Sequence, residues 1–232
     1  MAKQRSAKRP KRKSAPEQAD VAIFDSIRPV LSTRAARVLG RIGEVGDQPP
    51  LLALSGATLA VGLLRGDRRL ARAGTGMIVA HLIATGIKKI GKDNVDRTRP
   101  RHVLKGGRYR MERGTSDDPS LRSFPSGHTA GAVALAAAVA REYPEARGSA
   151  YAAAAAIGAL QLPRRAHFPT DVLAGAVAGY AAEWIGHQLI RAVLAGTARL
   201  AAEAGARMHP EPTHIHEGDP RPIPVAPDRA AL

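Results

Sequence analysis

Three short polar segments interrupt an otherwise apolar chain, and each carries residue types that could do chemistry. Lys92 and Arg99, in the first segment, offer an ammonium and a guanidinium group that could hold an anion. Ser126, in the second segment (PSGH), is typical of a helix start, where unpaired backbone amides attract anions. His167 and Asp171, in the third, offer an imidazole and a carboxylate four residues apart, a pair suited to nucleophilic or acid-base chemistry. Each segment alone has an ordinary structural explanation, so only their combination is informative.

Helices must position these segments. Apolar residues make up 44% of the chain but aromatic residues only 3%, so the apolar surface is mostly small and aliphatic, which favours close-packed helices. A fifth apolar run, from Val172 toward Ala195, follows four stretches that contain no Asp, Glu, Lys or Arg. These four stretches are 48–64, 73–87, 123–140 and 148–163. The sequence therefore predicts an all-α fold, a helical bundle.

Hydropathy alone does not decide whether these helices cross a membrane. A span needs about twenty apolar residues, and the uncharged stretches are slightly shorter. Flanking arginines that reach the interface, and small residues at helix contacts, favour a multi-pass membrane protein. A soluble helical bundle is the alternative. If the basic N-terminal tail is cytoplasmic, five spans would place the polar loops on the cytoplasmic side.

Positive charge is concentrated in two places. The chain has 35 Lys and Arg against 20 Asp and Glu, a net charge of +15. Residues 1–13 hold seven basic and no acidic residues, and residues 88–122 hold eleven basic and five acidic ones. The second cluster lies in a long loop between apolar segments, which predicts an anionic ligand there. Because the chain has no cysteine, disulfides, thiolate metal sites and a cysteine nucleophile are excluded.

Composition divides the chain into four segments. Residues 1–20 lack the apolar core of a signal peptide and predict a disordered basic tail, with binding to nucleic acid or anionic lipid as the alternative. Residues 21–44 predict an amphipathic helix. Residues 45–200 form the expected bundle, and residues 203–232, rich in proline, predict a disordered tail.

In their order and placement, the three polar segments resemble the signature motifs of the type 2 phosphatidic acid phosphatase superfamily, which includes vanadium haloperoxidases and bacterial acid phosphatases. The matching stretches are KDNVDRTRP, SFPSGHTA and HFPTDVLAG, and the resemblance covers roughly residues 45–195. It implies a helical bundle whose active site is formed by loops at one end. One position departs from the family pattern, because Gln161 stands where the third motif normally carries an arginine.

The same residues fit a phosphate site without a bound metal. Fixed cations must then balance the phosphate charge, and the amides at the start of a helix can donate to its oxygens. The residues expected to bind phosphate are Lys92, Arg99, Ser126, Gly127 and Arg164. Arg164 is chosen as the third cation because, if residues 149–164 form one helix, it lies one turn beyond Gln161 on the same face. Arg165 is the alternative.

Two histidines and one carboxylate are the expected catalytic residues. His167 is the expected nucleophile, and Asp171 would accept its Nδ1 hydrogen and leave Nε2 free. His128 would donate a proton to the leaving oxygen and then activate water. By contrast, His81 and His187 lie inside apolar stretches, and we interpret them as packed or interhelical polar residues.

The sequence therefore predicts a phosphatase that hydrolyses a phosphate monoester or pyrophosphate of a lipid, such as phosphatidate or a polyprenyl diphosphate, through a phosphohistidine. No cofactor and no metal are expected. The expected partners are the lipid substrate and the membrane, and no specific nucleic acid is expected. We expect a multi-pass protein of the cell membrane, which would be the inner membrane of a bacterium. Two alternatives stay open: a vanadium-dependent haloperoxidase, and a protein that binds nucleic acid or anionic lipid through its basic tail.

Overall fold

The computed structural model describes residues 15–31, 33–42 and 46–208, which form helices, one small sheet and the loops that connect them. The helices are α1 Ala15–Leu31, α2 Arg34–Ile42, α3 Gln48–Leu64, α4 Arg68–Asn94, α5 Pro100–Val103, α6 Gly127–Glu142, α7 Arg147–Ala159 and α8 Pro169–Met208. Strands β1 (Val95–Arg97) and β2 (Met111–Arg113) pair antiparallel, with Asp96 opposite Glu112. The prediction of an all-α helical bundle is confirmed.

The bundle core is made of small side chains. Ala80 and Ala84 of α4, Ala130 and Ala134 of α6, and Ala182 of α8 are buried against one another. Alanine has high helix propensity and a short side chain, so the same residues form the helices and let their backbones approach closely. The chain divides into two compact units, residues 1–191 and 192–232, and this core belongs to the first.

Helix α4 has a length and composition compatible with a membrane span. Among the described helices it is the one that is both long and apolar enough, while α3 is apolar but shorter. The buried core helix of a soluble protein meets the same criterion. The expectation of several spans stays a prediction.

The N-terminal boundary differs from the one predicted. Helix α1 begins at Ala15, so residues 15–20 are helical instead of belonging to a disordered tail. The physical reason is Asp20, which is buried in an ion pair with Arg97. The expected single helix over 21–44 is also wrong, because α1 ends at Leu31 and Thr33 caps α2 by accepting a hydrogen bond from the Ala36 amide. Residues 1–14 lie outside the described residues.

At the other end, α8 continues to Met208, past the predicted start of the proline-rich tail at residue 203. Its sequence is alanine-rich and contains no proline between Pro169 and Met208, so nothing stops the helix earlier. The rest of the expected tail, residues 209–232, lies outside the described residues.

Candidate active site

A cavity of about 260 Å³ lies where several helix ends meet. The C-terminal half of α4, the first turns of α3 and α6, and the loop before α8 all contribute to its wall. The structure brings five of the expected site residues together in this lining: Lys92, Arg99, Gly127, His128 and His167. Three titratable residues that the sequence analysis left out of the site also line it: Asp47, His81 and Lys88.

His167 is held as a neutral imidazole. It is only 2% exposed, and its Nδ1 lies 2.7 Å from the carbonyl oxygen of Ser123. Because a carbonyl can only accept, Nδ1 carries the hydrogen and Nε2 keeps its lone pair. Burial, together with the charges of Arg99 and Lys92, holds the pKa of His167 well below its ordinary value. The ring is therefore unprotonated at neutral pH, which a nucleophile requires.

Asp171 does not make the expected contact with His167. Its Oδ2 lies 3.9 Å from Nδ1, too far for a hydrogen bond, because the Ser123 carbonyl occupies that position. The carboxylate accepts instead from the Ser123 hydroxyl at 2.7 Å and from the Phe168 amide at 2.8 Å. Asp171 thus holds Ser123 and Phe168 in place on either side of the His167 ring. The tautomer of His167 is set by the backbone carbonyl of Ser123, which belongs to the second motif.

A buried arginine joins Asp171 to the N-terminal helix. Arg97 of β1, 1% exposed, donates to Asp171 Oδ1 at 2.6 Å and to the carboxylate of Asp20 in α1. Asp20 also accepts from the Thr170 amide at 3.1 Å. The two carboxylates favour the charged guanidinium and raise the pKa of Arg97 above its ordinary value despite its burial. This cluster ties α1 and β1 to the start of α8 directly behind His167.

His128 has a carboxylate and a guanidinium at the same ring nitrogen. Its Nε2 lies 2.6 Å from Asp47 Oδ1 and 2.8 Å from Arg164 Nη1. Asp47 can accept the Nε2 hydrogen while His128 is an acid, and Arg164 can donate to Nε2 once that proton has gone. Sequence reasoning missed Asp47 because it stands outside the three motifs. Its place directly before α3 was the available signal.

Arg164 reaches the site by a different route from the one predicted. Helix α7 ends at Ala159, so the expected helix over 149–164 is wrong, and residues 160–165 form turns around Pro163. Gln161 is fully buried, and its Oε1 accepts from Arg164 Nη1 at 3.4 Å. Arg165 adopts a φ of 54° and its side chain donates to the Leu31 carbonyl, away from His128.

Ser126 has its polar groups occupied within the protein. It caps α6, where its Oγ accepts from the Thr129 hydroxyl at 2.9 Å, and its amide donates to the Asp171 carbonyl at 3.0 Å. It is fully buried. Ser126 does not line the cavity, and its expected direct contact with phosphate stays a prediction. The residue positions the first turn of α6, whose Gly127 does face the cavity.

Arg99 is fixed by backbone carbonyls. Its Nε donates to Pro119 at 2.9 Å and its Nη2 to Arg122 at 3.1 Å. Neutral acceptors hold the guanidinium in place without cancelling its charge. Burial and the neighbouring Arg101 lower the pKa of Arg99 to about 10, which still leaves it cationic at neutral pH. Such a fixed cation suits an anionic ligand.

The variant Asp47→Asn tests whether Asp47 orients His128 for proton transfer or contributes to substrate binding. We expect kcat for an alkyl phosphate to fall by about tenfold to a hundredfold, as part of the general-acid contribution of about 10² to 10⁴. The first step with p-nitrophenyl phosphate, followed as the initial release of nitrophenolate, should slow much less, because nitrophenolate leaves without protonation. Asp67→Asn, in the cap of α4 and outside the cavity, is the control. Equal losses with both substrates would contradict this role of Asp47.

Comparison with known proteins supplies an independent description. A family model described as the PAP2 superfamily matches residues 70–195. The fold is similar to the crystal structure of Aquifex aeolicus LpxE, with 22% identity, a TM-score of 0.55, and coverage of 72% of this chain and 94% of that one. It is also similar to the first transmembrane PAP2 type phosphatidylglycerolphosphate phosphatase from Bacillus subtilis, with 20% identity, a TM-score of 0.57, and coverage of 78% and 89%. No curated protein sequence matches this chain.

Proposed function

This chain belongs to the PAP2 superfamily, as its three motifs predicted, and on that premise we propose that it is a phosphatase that hydrolyses a phosphate monoester or diphosphate of a lipid. The observation that carries the proposal is His167: a buried, neutral imidazole with its lone pair on Nε2, in a cavity that also holds Lys92, Arg99 and His128. A nucleophile, fixed cations and a proton donor in one cavity are the parts that phosphoryl transfer needs.

The reaction has two steps. In the first, Nε2 of His167 attacks phosphorus, the bond to the leaving oxygen breaks, and His128 gives that oxygen a proton. In the second, His128 takes a proton from water as the water oxygen attacks phosphorus, the nitrogen–phosphorus bond breaks, and inorganic phosphate leaves. His167 and His128 return to their starting states, so protons and electron pairs balance.

Charge stabilisation comes from fixed groups. Lys92 and Arg99 balance the phosphoryl oxygens, and the amides of Gly127 and His128 at the start of α6 donate to them. Arg164 is the third cation of this proposal, and its contact with the proton donor His128 supports a role beside the leaving oxygen. Asp171 acts as a positioning residue through Ser123 and Phe168.

A lipid substrate and a membrane location are supported by exposed apolar surface. Helix α8 presents Leu173, Val177, Tyr180 and Trp184 along one face, each more than half exposed. Such a stripe is unusual on a soluble monomer and fits contact with lipid or with another protein. Together with the apolar helix α4, it supports a multi-pass protein of the cell membrane whose cavity takes the head group of a lipid.

The test is phosphate release from phosphatidate and from a polyprenyl diphosphate in detergent micelles. We expect turnover that persists in EDTA, because the stabilising charges are side chains, and inhibition by vanadate as a transition-state analogue. Halide oxidation in added vanadate is the counter-assay for the haloperoxidase alternative. Activity lost in EDTA and restored by zinc or magnesium would overturn the metal-free mechanism.

A further inference from the structure

Lys88 and His81 of α4 line the same cavity as the catalytic groups, although neither belongs to the three motifs. Together with Thr85 and Lys92 they are spaced four, three and four residues apart, so all four share one face of the helix. At 1.5 Å per residue, this face extends about 6 Å from Lys92 to Lys88 and about 16 Å from Lys92 to His81. The polar lining of the cavity therefore continues along α4 for about three helical turns before Lys92.

The His81 ring is buried without an internal partner. It is 3% exposed, and within the part of the chain that the structure describes neither ring nitrogen has a hydrogen-bond partner. Leaving a buried polar group unpaired costs about 1–3 kcal/mol, so unpaired groups in folded proteins are few. Because His81 faces the cavity, a ligand group there can supply the missing partner. The expectation that His81 only packs between helices does not account for this.

The charge of Lys88 is likewise directed into the cavity. Its Nζ lies 3.5 Å from the neutral Oε1 of Gln48 and forms no ion pair with a described carboxylate, while Asp47 of the same cavity attracts it at longer range. The next residue behaves differently, since Lys89 is exposed and pairs with Asp93 at 2.5 Å. A lysine inside an apolar helix that could cross a membrane is costly and marks a functional site more often than a structural one.

Helix α6 leaves space for both side chains. A Cβ at Gly127 would lie 2.5 Å from Cδ of Lys88, and a Cβ at Gly131 would lie 3.0 Å from Cε1 of His81. The two glycines are one turn apart and face the two polar residues of α4. The pocket around Lys88 and His81 is therefore formed by matching positions on both helices.

We propose that Lys88 and His81 form a second anion subsite, which binds a second phosphate group of the same substrate molecule beside the phosphate that is cleaved. The inference rests on the proposed phosphatase function and narrows its substrate to molecules with two phosphate groups. Lys92 and Arg99 already balance a dianionic phosphoryl group, so Lys88 provides charge for another. The second phosphate can be bonded directly to the first, as in a diphosphate, or can be a phosphodiester across a glycerol.

The test compares Lys88→Met and His81→Leu with Lys89→Met, which removes a lysine outside the cavity. The substrates are phosphatidate, a polyprenyl diphosphate, and a lipid whose phosphate monoester and phosphodiester are joined by glycerol. We expect Lys88→Met to lower kcat/KM by at least about tenfold for one or both two-phosphate substrates, and by less than about threefold for phosphatidate. The substrate with the larger loss identifies the source of the second phosphate. His81→Leu should show the same selectivity, and Lys89→Met no change.

Binding of inorganic pyrophosphate and inorganic phosphate, measured by calorimetry, tests the subsite without turnover. The unmodified protein should bind pyrophosphate at least about tenfold more tightly, and Lys88→Met should remove that difference. If no lipid is hydrolysed but this binding pattern holds, the proposed function fails while the subsite stands. Equal losses for one-phosphate and two-phosphate substrates, or no loss for any, would overturn the subsite.

Discussion

Replacement of His167 by alanine is expected to lower kcat by at least about 10⁴-fold, because removal of a catalytic nucleophile usually causes losses of this size. Among the described residues, the cavity holds two other imidazoles: Nε2 of His128 is engaged by Asp47 and Arg164, and His81 lies about 16 Å along α4 from Lys92. The measurement is phosphate release, with thermal unfolding to show that the variant is folded. Residual activity of more than a few per cent would exclude His167 as the nucleophile.

A matched control and a trapping experiment sharpen this test. His187→Ala removes a histidine of α8 outside the cavity lining and should leave the rate unchanged. In His128→Gln, p-nitrophenyl phosphate should still phosphorylate His167, since its leaving group needs no proton, while hydrolysis of the intermediate stalls. Peptide mass spectrometry should then find the phosphoryl group on His167 and nowhere else.

Asp171→Asn is expected to lower the free energy of unfolding by about 3–5 kcal/mol, the usual cost of removing one partner of a buried ion pair. Asp171 and Arg97 are both nearly inaccessible to solvent and 2.6 Å apart, so the guanidinium would lose a partner that water cannot replace. Activity should fall by several orders of magnitude, because Ser123 and the loop at His167 lose their common acceptor. Chemical denaturation measures the first effect and kcat the second.

The control for Asp171→Asn is Asp93→Asn, which breaks surface pairs with Lys89 and Arg122 and should cost about 0.2–1 kcal/mol. If Asp171 acted only on the tautomer of His167, the Asn variant would lose activity at unchanged stability. That outcome would contradict a positioning role through the Arg97 cluster, and it would restore the direct carboxylate contact that the sequence predicted.

The sequence predicted the helices and the principal site residues because both leave local patterns. Uncharged alanine-rich runs gave α3, α4, α6 and α7, and polar residues at their ends gave Lys92, Arg99 and His128. The proposed substrate chemistry came from the family resemblance, because residue spacing alone does not indicate a substrate.

What the sequence could not predict depends on contacts between distant segments. The acceptor for the Nδ1 hydrogen of His167 is the backbone carbonyl of Ser123. Every residue has a backbone carbonyl, so no residue type in the sequence marks this one. Asp20 is 77 residues from Arg97, so nothing local distinguishes it from a solvated acid. Lys88, by contrast, stands one helical turn before Lys92, and that spacing was a signal that sequence reasoning could have used.

The buried ion pair between Asp20 and Arg97 means that the region matched by the family model is shorter than the part of the chain that supports the site. A recombinant fragment cut at the borders of the family match, residues 70–195, would keep every motif yet lose α1, Asp20 and Asp47. Arg97 would then face Asp171 alone, in a pocket opened to water where Phe24 had packed on Phe168. Proteolytic trimming of the N-terminus past residue 20 would remove Asp20 but keep Phe24 and Asp47, and we expect it to lower activity although every proposed catalytic side chain remains.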